Sequence, residues 1–409
     1  MTLTVREISS DAHLAFVDER SASSSVSFLQ CPSWAGVKSE WLSASLGWYD
    51  DAGPAAGSQS DRSQSDGSQS DGSRSDAVLV GVGLVLLRPV PRTRRYLAYL
   101  PEGPVLDWGT DDLAAWLDPL VAHLRGRGAF GITIGPPVVR RRWSAATVKA
   151  ALAGETAGRL TDVPADHTDP AGDRVATALT RLGWRPPAGG AGFAKGQPQF
   201  VFQVPLAGRD EADLLRGLNQ LWRRNIKKAD KLGVTVRQGS ADDLAAFHAL
   251  YLETAARDHF TGRPLSYFQQ MWAAMRAEDP DRVRLYLAEH EGDLVAATTM
   301  VRVGTHAWYS YGASSTAKRE VRGSNAVQWA MMRDALAAGA TVYDLRGITD
   351  TLDADDPHLG LIQFKLGTGG AAVEYLGEWS LPLNRLLYKA FELYLGFRAL
   401  PGSSMKARR

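Results

Sequence analysis

Apolar and polar residues alternate along 284–290 and again along 294–303, on either side of Glu291-Gly292-Asp293. That period of two predicts a pair of antiparallel strands joined by a tight turn. A strand at 234–236 precedes a helix opened by Asp242 and running to 257, and Pro264 starts a second helix that continues through 275. After the hairpin come a strand at 306–310, a helix at 323–338 ended by Gly339, a strand at 341–345, a short helix at 359–366 and a last strand at 371–375. The first half runs through the same order: strand 4–8, helices at 12–20 and 33–46, strands on either side of 57–76 and at 96–100, helix 111–127 and strand 130–134. Two passes through one order of elements predict a duplicated α+β unit whose sheets are mixed and mostly antiparallel.

Two stretches stand apart from this pattern. Residues 57–76 are four pentapeptides, GSQSD, RSQSD, GSQSD and GSRSD, with no apolar residue among them. Such a segment has nothing to bury and is expected to be a disordered tip between two strands. Along 210–232 the apolar residues Leu214, Leu218, Leu221, Trp222, Ile226 and Ala229 keep a helical period and predict one helix. Arg223, Lys227 and Lys231 then fall on another face, with Arg224 and Lys228 alongside.

Composition narrows the functional classes. With 409 residues, 44% hydrophobic and 22% charged, the chain is long enough for two folded domains and too apolar for a disordered one. Its 46 Lys and Arg against 45 Asp and Glu leave a net charge of +1, so no global field recruits a polyanion and no stable nucleic-acid complex is expected. Cys31 is the only cysteine, which excludes an intramolecular disulfide and a thiolate zinc site, and the eight histidines show no HExxH spacing. No metal is therefore expected, and a reducing, cytoplasmic setting fits. Arg6, Glu7 and Asp11 argue against a secretory signal, and the longest apolar stretch, 77–87, is far short of the roughly 20 residues of a membrane-spanning helix.

Five short stretches, in order along nearly the whole chain, carry a resemblance. They are Phe28-Leu29-Gln30-x3-Trp34-x3-Lys38, Gly103-Pro104-Val105-x-Asp107, Arg224-Asn225-Ile226-Lys227-Lys228-Ala229, Tyr343-Asp344-Leu345-Arg346-Gly347 and Gly360-Leu361-x2-Phe364-Lys365. With these the chain resembles the FemABX peptidyltransferases, which move amino acids from aminoacyl-tRNA to the stem peptide of peptidoglycan precursors such as UDP-MurNAc-pentapeptide or lipid II. The resemblance implies two tandem GNAT-like domains, 1–198 and 199–376, with 377–409 returning to the first. It also implies a monomer that needs no cofactor, works in the cytoplasm, and touches the inner face of the membrane at most peripherally.

The same resemblance assigns roles to residues. Lys365, after Phe364, would stabilise the oxyanion formed when an amine attacks the aminoacyl ester, since a fixed cation in a dry cleft acts on that charge as it develops. Asp107 would orient or deprotonate the attacking amine. Lys38, Arg263 and Tyr267 would hold the diphosphate and sugar of the precursor, with Arg263 and Tyr267 four apart on one helix face and the guanidinium gripping phosphate oxygens in a fork. Tyr311 would line the substrate channel. The basic row of Arg223, Arg224, Lys227, Lys228 and Lys231 could meet tRNA phosphates by charge alone.

Each residue also has an ordinary reading. Lysines near glycines sit on surfaces, an acid after Gly-Pro-Val suits a turn, tyrosines in strands pack in cores, and basic rows solvate helix faces. Three other functions fit parts of the pattern: aminoacyl-tRNA-dependent tailoring of a secondary metabolite, an acyl-CoA-dependent N-acyltransferase, and a non-catalytic protein that binds tRNA or wall precursor. The acyl-CoA reading expects R/Q-x-x-G-x-G/A at a helix start to hold a pyrophosphate. The chain has Glu320-Val321-Arg322-Gly323-Ser324-Asn325 there, with the wrong residue at both ends.

Overall fold

The computed structural model describes residues 2–51, 77–90, 93–154, 157–187, 196–353, 355–356 and 358–398. The repeat at 57–76 lies outside them. In chain order the first part contains β1 (Leu3–Glu7), α1 (Ser10–Ser21), α2 (Ser33–Val37), β2 (Leu42–Asp50), β3 (Val78–Pro89), β4 (Tyr96–Leu100), α3 (Leu113–Gly126) and β5 (Ala129–Ile134). There follow β6 (Val139–Ser144), α4 (Ala145–Gly154), β7 (His167–Thr168), α5 (Pro170–Arg181), β8 (Phe200–Pro205), α6 (Glu211–Gly217) and α7 (Gln220–Lys231). The second part continues with β9 (Thr235–Gln238), α8 (Leu244–Arg257), α9 (Leu265–Glu278), β10 (Val283–His290), β11 (Asp293–Val303), β12 (His306–Ser314), α10 (Gly323–Ala337) and β13 (Val342–Gly347). It ends with α11 (Leu359–Leu366), β14 (Ala371–Tyr375), β15 (Trp379–Pro382) and α12 (Arg385–Arg398).

These strands form two sheets, ordered β1-β2-β3-β4-β5-β15 and β7-β6-β14-β8-β13-β12-β11-β10-β9. The run β1 to β5 in one therefore reappears as β9 to β13 in the other. In each run only the fourth and fifth strands are parallel, β4 with β5 and β12 with β13. A parallel pair needs a crossover, and α3 and α10 supply it at the same place in each copy. The fold is α+β, two tandem units of one strand order with mixed, mostly antiparallel sheets, as the repeated order of elements predicts.

The sheets do not follow chain order throughout. β6 and β7, inside 1–198, extend the second sheet through β14, while β15 returns to the first sheet against β5. A shared core joins the units: Phe28, Trp34 and Leu84 from one side bury with Phe247, Phe268, Met271 and Trp308 from the other.

Two expectations are corrected. The helix expected over 33–46 stops at Val37, and 42–50 is instead β2, because that segment finds ladder partners on both sides in β1 and β3. The single helix expected over 210–232 is two. Leu218 is extended, and the Asn219 side chain accepts the backbone N–H of Trp222 at 2.8 Å, capping a new helix. The break lets Asn219 donate its own N–H to the Gly367 carbonyl at 2.9 Å, which docks α7 on the end of α11.

Candidate active site

Two groups of polar residues lie where the units meet. The first grows out of the packing of α2 on α9. A methyl added at Gly36 would sit 2.9 Å from the Cβ of Ala274, so glycine permits the close approach of these helices. Lys38 follows as the C-cap of α2, its ammonium 5.3 Å from the centre of the Tyr267 ring. Arg263, just before α9, places its guanidinium 5.2 Å from the same ring. The Tyr267 hydroxyl is hydrogen bonded to that of Tyr311 at 2.9 Å. Burial, and then the Arg263 charge, push the Lys38 ammonium below its ordinary value, with Glu40 opposing. Burial raises the Tyr267 phenol, so it stays neutral. Neither Lys38 nor Arg263 has an ion-pair partner among the described residues, Glu40 acting on Lys38 only from a distance, and two cations converging on one ring suit a dianion. The structure thus brings Lys38, Arg263, Tyr267 and Tyr311 together.

The second group lines a cleft at the end of β13. Arg346 has a left-handed backbone (φ 60°), and its N–H donates to Asp344 Oδ1 at 2.6 Å. Its guanidinium crosses to the other unit and meets Glu102 Oε1 at 2.8 Å and Gln197 Oε1 at 2.9 Å. Glu102 is left-handed too (φ 47°) and accepts from Ser27 Oγ at 2.5 Å. Two facing non-glycine residues with positive φ are the kind of local strain that surrounding structure must hold in place. Asp344 also accepts from Gln203 at 2.9 Å and lies 3.5 Å from His306 Nε2. His306 stacks on Trp308 at 4.0 Å and has Ser25 Oγ 2.7 Å from Nδ1. Burial works to raise the Asp344 carboxyl, but His306, Arg346 and Gln203 together hold it below its ordinary value.

Lys365 stands behind this wall. It is 3% exposed, and its ammonium donates to the Gly347 carbonyl at 2.5 Å and the Arg346 carbonyl at 3.3 Å. Burial drives it down to about 7; Asp344 opposes that shift and Arg346 adds to it. A lysine poised there can act as a cation or exchange a proton near neutral pH.

The other candidates separate. Phe364 packs on Trp222 with ring centres 4.7 Å apart, and Trp222 Nε1 donates to the Phe364 carbonyl at 2.9 Å, so it ties α11 to α7. Asp107 is exposed and accepts the Gly109 N–H at 3.0 Å, a turn rather than part of the cleft wall. Arg223 donates to the Arg216 carbonyl at 3.0 Å and also to that of Leu218, so it finishes α6 instead of facing solvent. Arg224, Lys227, Lys228 and Lys231 are exposed along α7. Sequence reasoning gave no role to Glu102, His306, Asp344 or Arg346, although the stretches containing Asp344 and Arg346 were legible. The only signal was charge inside an otherwise strand-like run.

Comparison with known proteins follows the same lines. The FemAB family model matches residues 8–291 and 281–394. The chain is 25% identical over 381 residues to the lipid II:glycine glycyltransferase of Staphylococcus aureus (strain USA300), covering 76% of this chain and 83% of that protein. The same relative from strain NCTC 8325 / PS 47 gives the same figures. The crystal structure of FemX shares the fold, with a TM-score of 0.73 at 22% identity over 95% of this chain and 99% of that one. Two overlapping matches that together run from the end of β1 into α12 leave one assignment: the chain belongs to the FemAB family.

Proposed function

We propose that the protein moves an amino acid from aminoacyl-tRNA to an amine on the stem peptide of a peptidoglycan precursor. The observation that carries this reading is the pair of unpartnered cations, Lys38 and Arg263, on the Tyr267–Tyr311 pair of a FemAB protein. A diphosphate supplies the dianion such a pair suits, and a precursor of this class carries one between its sugar and its nucleotide or lipid. The relatives named for glycyl transfer to lipid II support the same acceptor class.

The chemistry needs no cofactor. The acceptor amine attacks the ester carbonyl, the C–N bond forms, and the carbonyl oxygen becomes an oxyanion. Collapse breaks the ester C–O bond; the amine gives up a proton and the terminal ribose hydroxyl of the tRNA gains one. In this reading protonated Lys365, with the wall formed by Arg346, supplies the positive field at the oxyanion. Exposed Arg224, Lys227, Lys228 and Lys231 sit on the helix whose Trp222 grips Phe364, so a donor held by their charges would lie beside Lys365. Against an acyl-CoA donor, the Asn325 side chain at the start of α10 is buried and accepts from Asn225 at 3.3 Å.

The test is mass spectrometry of a diphosphate-bearing precursor incubated with charged tRNA, with acetyl-CoA in parallel. One aminoacyl mass should be gained with tRNA alone. Lys38→Ala and Arg263→Ala should raise KM for that acceptor at least about tenfold more than for a truncated stem peptide. Product from acetyl-CoA without tRNA would overturn the reading.

A further inference from the structure

The last helix has more apolar surface than its packing uses. Tyr388 and Phe391 of α12 bury against Phe130, with ring centres 6.4 and 5.3 Å away. Leu386 and Leu393, seven residues apart, fall on the opposite side of the helix and are 86% and 58% exposed. Arg385, Lys389 and Ala390 are exposed beside them. From 385 onward the sequence carries Arg385, Lys389, Arg398, Lys406, Arg408 and Arg409 against Glu392 alone, a local basic excess in a chain whose net charge is +1.

The packed side of the same helix leads toward the cation pair. Arg88 lies 5.4 Å from the Phe391 ring and 5.5 Å from the Trp41 ring. Trp41 donates its backbone N–H to the Lys38 carbonyl at 2.9 Å, and the next residue, Leu42, is 55% exposed. A short run of contacts thus leads from α12 to the place proposed for the diphosphate. When a diphosphate joins a sugar to a polyprenyl chain it sits at the membrane boundary, so whatever grips it must rest there. Among the described residues no helix is long and apolar enough to cross a membrane.

We propose that the outer face of α12 docks the protein on an anionic lipid surface, Leu386 and Leu393 entering the headgroup boundary and Arg385 and Lys389 meeting lipid charge. This rests on the acceptor reading above and narrows it to a lipid-linked acceptor. The test uses the full chain and vesicles containing no acceptor. Wild type should sediment with phosphatidylglycerol-rich vesicles, far less with phosphatidylcholine, and less as salt rises. Leu386→Glu and Leu393→Glu should each weaken sedimentation about tenfold, with transfer to a soluble nucleotide-linked acceptor unchanged and transfer to a vesicle-embedded one reduced. Absence of wild-type sedimentation, or equal sedimentation of the variants, would overturn the proposal. So would a wild-type dimer that Leu386→Glu dissolves, since the ridge would then belong to a second copy. Vesicle binding without transfer from any aminoacyl-tRNA would leave the surface standing and remove the proposed activity instead.

Discussion

At the scale of single residues, the ammonium of Lys365 is held by two backbone carbonyls in a buried setting that pushes it down to about 7. If the cation is the working form, the advantage of wild type over Lys365→Met should be about a hundredfold below pH 7 and shrink as pH rises through 7. Taking the ratio of the two enzymes cancels the titration of the acceptor amine, so turnover measured across that range decides the matter; a constant ratio would remove the cation. The same group makes a stability statement. Its folded value is depressed from 10.5, so between about 7 and 10.5 the unfolded chain binds the extra proton. Wild-type stability relative to Lys365→Met should therefore rise with pH across that window, read from denaturation midpoints. Phe364-Lys365 and its glycines singled Lys365 out in the sequence. That it would sit behind Arg346 was not legible there, because the Arg346 guanidinium is held by Glu102 and Gln197, which come from distant parts of the chain.

At the scale of elements, the placement of Lys38 and Arg263 depends on how closely α2 meets α9. Gly36→Ala places a methyl 2.9 Å from the Cβ of Ala274, and both atoms belong to helices that cannot yield by a rotamer change. Overpacking of this kind costs about 1–3 kcal/mol, and here it also shifts Lys38 relative to Tyr267. We expect a lower denaturation midpoint and a raised KM for the diphosphate-bearing acceptor, with kcat less affected. Adding Ala274→Gly should restore both; additive losses in the double mutant would show that the contact is not the cause. The period of α9 was readable because Tyr267, Phe268, Met271 and Met275 all bury. The early end of α2 was not, since 42–50 is drawn into a strand only by the ladders of β1 and β3.

At the scale of the whole molecule, Glu102 and Arg346 join the two units across the cleft. Glu102→Gln keeps the shape and leaves Arg346 with Asp344 as its remaining acid. Stranding a fully buried charge costs about 3–5 kcal/mol; with both side chains partly exposed and Asp344 still present, a loss of about 2 kcal/mol is expected. Unfolding should stay a single transition, because the Phe28, Trp34, Phe247 and Trp308 core is shared, and transfer should fall as the wall in front of Lys365 loosens. Two separate transitions in the denaturation curve would show that the pair, rather than the core, couples the units. The repeated order of strands and helices, the basic helix and the Phe364-Lys365 pair were determined by the sequence itself, because hydrophobic period, caps and turn residues act over a few neighbours. Only the tertiary structure decided that β6 and β7 join the second sheet, that Asp107 makes a turn, that Arg223 finishes a helix, and that Glu102, Asp344, His306 and Arg346 line one cleft. Those outcomes depend on groups up to hundreds of residues apart competing for the same hydrogen bonds and buried volume, and no local pattern records which of them wins.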